Sequence, residues 1–102
     1  MTDKDQVFSN YQKEGEKSVR DNAKAQPSNL KIQLGLLSQR RRLESRLEVI
    51  ESLKTIVQLA PNRIDERLDL GFLQETNGLT GSAAKQFEIS LGLINNSKQF
   101  NH

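Results

Sequence analysis

The stretch that decides the fold is residues 61–96, PNRIDERLDLGFLQETNGLTGSAAKQFEISLGLINN. Apolar residues recur at helical spacing on both sides of a polar, glycine-containing segment around Gly78. Asn77-Gly78 is typical of a helix C-terminus, because glycine readily adopts the left-handed conformation that ends a helix. The stretch therefore predicts a helix over about 64–76, a tight turn, and a second, antiparallel helix that ends at Asn95-Asn96.

A glycine in the middle of the first of these helices requires an explanation. Glycine in a helix interior costs about 0.5–1 kcal/mol relative to alanine. The dipeptide Leu-Gly nevertheless occurs twice inside predicted helices, at Leu34-Gly35 and at Leu70-Gly71. We expect Gly71 to be the point where the second helix of its hairpin approaches closely, through Ala83.

The preceding residues, 27–62, predict another pair of helices. The segment 30–43 carries apolar residues on two sides, which favours a helix packed between neighbours. A capping-box pattern from Ser45 to Glu48 then predicts a new helix start, and Ala60-Pro61 predicts its end. Since no segment alternates in the manner of a strand, the predicted fold class is all-α, with two stacked antiparallel helical hairpins.

The two hairpins show an internal repeat. The second helices align at a spacing of 34, which pairs Val49 with Ala83 and Leu53 with Phe87. The first helices align better at a spacing of 36, which pairs Gly35 with Gly71. The first hairpin is therefore expected to have a turn about two residues longer and a following linker about two residues shorter.

Residues 61–96 resemble a tetratricopeptide repeat, a pair of antiparallel helices in a unit of about 34 residues, and residues 28–62 resemble it more weakly. The residues that carry the resemblance are Gly35, Pro61, Leu70, Gly71, Gly78, Ala83 and Phe87. The chain departs from the family pattern at Arg67, Gln74, Ser90 and Asn95. The resemblance implies that Phe87 fills the layer between hairpins and that the first helices line a concave groove for a peptide or helix. The groove residues that it implies are Asn29, Ile32, Leu36, Gln39, Arg40, Asp65, Leu68, Phe72, Glu75 and Thr76.

The N-terminal segment, residues 1–26, is polar and predicts either a weak helix or disorder, and residues 98–102 form a short tail. Four residues of the N-terminal segment, Phe8, Tyr11, Gly15 and Val19, lie roughly on one helical face. Two alternatives follow for the groove. Either it is open to a partner, or this segment covers it, with Phe8 and Tyr11 as the expected occupants.

The composition argues against catalysis and against cofactor or metal binding. There is no cysteine, and the only histidine is His102, so neither a catalytic triad nor a thiolate or histidine metal site can be built. Gly78 to Gly81 lacks the context of a phosphate-binding loop. We therefore expect no enzyme, no cofactor and no small-molecule substrate. No apolar run approaches the length of a membrane-spanning helix and no signal-peptide pattern occurs, so we expect a cytoplasmic protein that does not insert into membranes.

A basic patch, Arg40, Arg41, Arg42 and Arg46, is the sharpest charge feature. It indicates either an anionic partner or a solvated helix end, where cations suit the helix dipole. The leading hypothesis is a non-catalytic adaptor or chaperone that holds a helical or hydrophobic segment of another protein. The alternatives are a subunit that self-associates through complementary hairpin ends, and a binder of nucleic acid or acidic surfaces through the basic patch.

Overall fold

A computed structural model of the chain describes the backbone of residues 3–100 and the side chains of residue 7 and residues 9–96. Over these residues it is all-helical. The helices are α1 (Asp3–Ala25), α2 (Leu30–Arg42), α3 (Arg46–Leu59), α4 (Ile64–Thr76) and α5 (Thr80–Phe100). The expectation of an all-α fold is confirmed.

The helices pack in chain order, each against the one before it and the one after it. Helices α2 and α3 form the first hairpin, and α4 and α5 form the second. The hairpins are joined by packing of α3 against α4, while α1 packs on α2. This layered arrangement is typical of repeat folds, in which each unit contacts only its neighbours.

Both helices of the hairpin repeat at a spacing of 34, and the expected spacing of 36 for the first helices is wrong. Helix α2 begins at Leu30 and α4 at Ile64, and the second helices begin at Arg46 and Thr80. Burial follows the same register, since Leu36 and Leu70 are both buried, as are Leu37 and Gly71. The two Leu-Gly dipeptides therefore occupy different positions in their helices.

The turns of the two hairpins have the same length and the same closing hydrogen bond, so the expected longer first turn is not found. Glu44 (φ 56°) and Gly78 (φ 81°) both adopt the left-handed conformation. The amide of Ser45 donates to the carbonyl of Arg40 (3.1 Å), and one repeat later the amide of Leu79 donates to that of Gln74 (2.8 Å). The first turn therefore forms the same hydrogen bond with a glutamate at the left-handed position, where a glycine is usual.

The N-termini of the helices are capped differently from the expectation. Asn29, expected in the groove, is the N-cap of α2, where its side chain accepts from the amide of Ile32 (3.2 Å). Ser45 does precede the first residue of α3, but its side chain makes no capping bond. Glu48 instead forms an ion pair with Arg40 (Nε–Oε2 3.4 Å), which removes the glutamate half of the predicted capping box.

The hydrophobic core lies between the first hairpin and α4. Its buried members are Leu37, Val49, Ile50, Leu53, Ile56, Val57 and Leu70. Leu53 and Ile56 have no exposed surface. Since α4 contributes Leu70 to a core otherwise drawn from α2 and α3, the second hairpin is held to the first by apolar contact.

The N-terminal segment is helical rather than disordered, and it continues the repeat. Helix α1 ends at Ala25, one repeat before α3 ends at Leu59. Ala23 is buried, as is its counterpart Val57. Helix α1 therefore occupies the same position relative to α2 as α3 occupies relative to α4, and the chain contains a half repeat followed by two whole ones.

The C-terminal helix is longer than expected. Asn95-Asn96 does not end α5, which continues to Phe100 through most of the predicted tail. Among the described residues, no helix combines the length and the apolar composition that a membrane span requires.

Candidate binding cleft

The groove residues expected on the first hairpin lie toward the packed side of α2, where Leu36 and Arg40 line a depression of about 300 Å³ between α1, α2 and α3. Leu36 and Gln39 are buried, and Ile32 and Arg40 are half-buried. In the observed register, Leu36 corresponds to the core residue Leu70. The spacing of 36 displaced the expected surface of α2 by two positions, from the exposed side of the helix toward the packed side.

The exposed residues of α4 have their true counterparts on α2, 34 positions earlier in the chain, and these counterparts are exposed too. Lys31, Gly35, Ser38 and Arg41 are exposed, and so are their counterparts Asp65, Asp69, Phe72 and Glu75. Of the groove residues expected on α4, Asp65, Phe72, Glu75 and Thr76 are exposed and Leu68 is half-buried. The face of α2 is basic or neutral and that of α4 is acidic, with Phe72 its only aromatic group.

An open cleft of about 570 Å³ lies where the turn of the first hairpin meets α4. Its lining residues are Arg41, Glu44, Arg46, Val49, Asp69, Phe72 and Leu73. Three of these side chains are apolar, and the four charged ones comprise two cations and two carboxylates. The cleft therefore offers apolar surface with charges of both signs around it.

Phe72 is the one aromatic side chain among the described residues that lines the cleft, with 57 % of its surface accessible. Its ring meets that of Phe87 edge to face, with the ring centroids 5.3 Å apart. At the equivalent position of the first hairpin stands Ser38, which is exposed. The repeat therefore does not require an aromatic residue at this position for folding.

An ion pair crosses from α2 to α4 beside the cleft. Arg41 donates from Nη2 to Oδ2 of Asp69 at 2.7 Å, and both side chains are about half exposed. Such an exposed pair contributes little to stability, about 0.2–1 kcal/mol. It links α2 to α4 at this edge of the cleft.

Glu44 is the strained residue of the cleft. It has φ 56°, a conformation that costs a non-glycine residue about 1–2 kcal/mol. Strain of this kind concentrates at functional sites. The equivalent turn uses Gly78, so a glycine is compatible with this geometry and the glutamate is not needed to form the turn.

The basic patch is partly neutralised. Arg40 forms ion pairs with Glu48 and with Glu51 (Nη1–Oε2 3.9 Å), and it also donates to the hydroxyl of Ser52 (2.9 Å). Arg41 is paired with Asp69. Arg42 and Arg46 are exposed, and among the described residues no carboxylate lies within ion-pair distance of either. Two of the four cations therefore hold parts of the chain together.

Gly71 is the site of a close contact, but the nearest group is Phe87 rather than Ala83. A β-carbon on Gly71 would lie 2.7 Å from Cε1 and 3.0 Å from Cζ of Phe87, so the aromatic ring occupies the space that a side chain would need. Phe87 thus lies within its own hairpin at this contact, over Gly71. At Gly35 a β-carbon would meet nothing within 4 Å, so the second Leu-Gly dipeptide makes no such contact.

The N-terminal helix packs on α2, and Tyr11, one of the two expected occupants, stays exposed. Gln33 donates from Nε2 to the carbonyl of Ala23 (3.2 Å), and Gln39 donates to that of Glu16 (3.2 Å). Tyr11 is 70 % exposed, and the side chain of Phe8 lies outside the described residues. The surface that α1 covers is the packed side of α2, and the cleft remains open.

Two charged residues have structural roles near the start of α4. Arg67 is buried and donates to Oε1 of Gln86 (2.9 Å) and to the carbonyl of Pro61 (3.0 Å), which ties α4 to α5 and to the preceding linker. Arg63 donates to Oε1 of Glu66 at 2.6 Å. This hydrogen bond, helped by the charge of Arg63, lowers the pKa of Glu66 below its usual value, although partial burial opposes the shift.

Among the described residues, no group of three or more acidic side chains is placed to hold a metal ion.

The residues predicted to form a groove or a basic patch included Phe72, Arg41 and Arg46, but of these only Phe72 was assigned to the groove. The prediction missed Glu44, Val49, Asp69 and Leu73 as lining residues. The second helices already showed a spacing of 34. The same spacing, applied to the first helices, would have matched Arg41 with Glu75 and placed Arg41 on the exposed face.

No protein-family model matches the chain, and no curated protein sequence matches it either.

Proposed function

We propose that this chain is a non-catalytic protein-binding module whose cleft holds an apolar side chain from a helical segment of a partner protein. The observation that carries the proposal is the exposure of Phe72 beside Val49 and Leu73 in an open cleft. Exposed aromatic groups in a depression contribute much of the binding energy at protein interfaces. The equivalent residue Ser38 supports a binding role for the exposed part of the ring, in addition to its contact with Phe87.

The charged residues around the cleft favour an amphipathic partner. A partner helix carries polar residues on both sides of its apolar stripe, and the cleft provides charges of both signs to meet them, among them Arg46 and Glu44. A nucleic acid is a poorer fit, because Arg40 and Arg41 already pair with carboxylates and Asp69 and Glu44 add negative charge to the same cleft.

The test compares wild type with two variants that carry the same change at exposed apolar positions. Phe72→Glu places a charge in the cleft, and Leu47→Glu is the matched control, because Leu47 is 72 % exposed on α3 and does not line the cleft. Proteins retained by the wild-type chain are identified by affinity capture with mass spectrometry, and binding of each purified candidate is then measured by titration calorimetry.

We expect one partner to bind wild type and Leu47→Glu equally and to bind Phe72→Glu at least about tenfold more weakly, a loss of about 1.4 kcal/mol. Circular dichroism spectra of the three proteins should coincide, since Phe72 is mostly exposed. A partner that binds Phe72→Glu as tightly as wild type contradicts the proposal.

A further inference from the structure

The second exposed apolar surface lies on α5 and is found by comparing equivalent residues of the repeat. Ala23, Val57 and Leu91 occupy equivalent positions of α1, α3 and α5, one repeat apart. Ala23 is 6 % exposed and Val57 is 7 % exposed, because in each case the following helix packs over them. Leu91 is 59 % exposed.

The same difference extends along the helix. Ile50 of α3 is buried, whereas its counterpart Ala84 is exposed, and Leu53 is fully buried, whereas Phe87 is half-buried. We call Ala84, Phe87 and Leu91 the open face of α5. Ala84 and Leu91 lie at positions where α3 is buried, and among the described residues no helix covers them. The ring of Phe87 packs on Gly71 of α4 and leaves only part of its surface exposed at the border of this face.

We infer that the open face of α5 binds the same face of a second copy of this chain, with the two α5 helices antiparallel. Within one copy, α4 covers α3. The equivalent arrangement between two copies would place α2 of one copy over α5 of the other. That side of α2 is already occupied by α1, which accepts hydrogen bonds from Gln33 and Gln39. The face that both copies have free is α5 itself. Ala84 and Leu91 do not line the cleft, so the inference does not depend on the proposed function.

Charge and side-chain size make the face self-complementary. Lys85 and Glu88 are the only charged residues from 80 to 96, and they cancel, so this part of two α5 helices meets without net repulsion. If the two-fold axis passes between residues 87 and 88, Ala84 of one copy lies opposite Leu91 of the other, a small residue against a large one. Lys85 of each copy then lies within about one helical turn of Glu88 in the other, at the edge of the contact.

The first test is the mass of the full chain over a concentration series, measured by light scattering and sedimentation equilibrium. The chain has a mass of 11.6 kDa, and we expect the wild type to approach twice that value as concentration rises. Leu91→Glu should remain monomeric, and Leu47→Glu, the matched exposed leucine on α3, should dimerise as wild type does. A wild type that stays monomeric, or a Leu91→Glu variant that dimerises equally well, overturns the inference.

The second test reads the orientation of the helices from disulfide formation, which is possible because the chain has no cysteine of its own. Mixing Ala84→Cys with Leu91→Cys should give a cross-linked heterodimer under mild oxidation. Leu91→Cys alone should not cross-link, because the two residues would be about 10 Å apart along the helix axes, beyond the reach of a disulfide. Efficient cross-linking of Leu91→Cys alone would overturn the antiparallel arrangement.

The two proposals fail separately. Phe72→Glu should dimerise as wild type does, and Leu91→Glu should retain the partner bound by the cleft. Loss of both properties in one folded variant would contradict the assignment of two independent surfaces.

Discussion

The two hairpins share helix positions, turn geometry and repeat length, yet they fill their interiors in opposite ways. In the first hairpin the interior pair at equivalent positions is Leu37 with Leu53, both buried in the core. In the second hairpin the same pair is Gly71 with Phe87, and the ring occupies the space left by the glycine. The second hairpin therefore has a glycine in place of a leucine on its first helix and a phenylalanine in place of a leucine on its second helix. The backbone arrangement is the same in both hairpins.

At this layer the same backbone arrangement accommodates either two leucines or a glycine facing a phenylalanine. Interiors are close-packed, so a residue enlarged on one helix requires a residue reduced on the facing helix. The first hairpin is covered on both sides, by α1 and α4, and fills its core with aliphatic residues. The second is covered on one side only among the described residues, and it places its aromatic rings, Phe72 and Phe87, next to the cleft and the open face of α5.

The largest expected effect comes from giving the second hairpin the residue of the first. Gly71→Leu forces a side chain into the space of the Phe87 ring, and overpacking of this kind should lower the free energy of unfolding by about 2 kcal/mol. Adding Phe87→Leu recreates the pair found in the first hairpin and should restore most of the loss. Urea denaturation of the single and double variants measures the coupling. Additive losses in the double variant would show that the two residues do not share one space.

The turns provide the next comparison, because Glu44 and Gly78 adopt the same left-handed conformation. Glu44→Gly should raise the free energy of unfolding by about 1 kcal/mol by removing strain, and Gly78→Ala should lower it by about 1 kcal/mol by introducing it. Thermal and urea melts of the two variants test the pair. If both variants shift stability in the same direction, the equivalence of the turns is wrong. Partner binding by Glu44→Gly then shows whether the glutamate contributes to the cleft.

Two buried serines at unrelated positions of the second helices should respond with opposite signs. Ser52 accepts from Arg40, whereas the hydroxyl of Ser90 has no hydrogen-bond partner among the described residues. Ser52→Ala should therefore lower the free energy of unfolding by about 1 kcal/mol, and Ser90→Ala should raise it by about 0.5 kcal/mol, partly through helix propensity. The measurement is the midpoint of urea denaturation of each variant, compared with that of the wild type at a common m-value, the slope of the unfolding free energy against urea concentration. Destabilisation by Ser90→Ala would reveal a partner for that hydroxyl.

The smallest effect is a pH dependence at the start of α4, which has no counterpart in α2, where Asn29 and Ile32 replace Arg63 and Glu66. The pKa of Glu66 is lowered in the folded chain, so its bond with Arg63 stabilises the fold above the ordinary glutamate value of about 4.3. This contribution is lost as the pH falls through the lowered pKa. The stability difference between wild type and Glu66→Gln, from urea melts at several pH values, should therefore shrink below about pH 4. A difference that is constant with pH would contradict the shift.

Helix content and the hairpin arrangement followed from the sequence, because they depend on local signals. Apolar spacing marked the helices, and Asn77-Gly78 and Ala60-Pro61 marked two of their ends. The register of the first helices did not follow, since the matching letters of Leu34-Gly35 and Leu70-Gly71 favoured a spacing two positions longer than the true one. A single misassigned dipeptide moved the expected groove on α2 onto residues that are packed.

What the sequence determined by itself was the class of fold, the repeated hairpin as its unit and the need for a close contact at Gly71. The identity of the contacting group, the helical half repeat at the N-terminus and the cleft at the turn of the first hairpin were decided by tertiary structure. The physical reason is that periodicity reports which side of a helix is apolar but not which neighbour covers it. Coverage depends on how the neighbouring helices pack in three dimensions, and it is coverage that leaves Phe72 and Leu91 exposed while Leu36 and Val57 are buried.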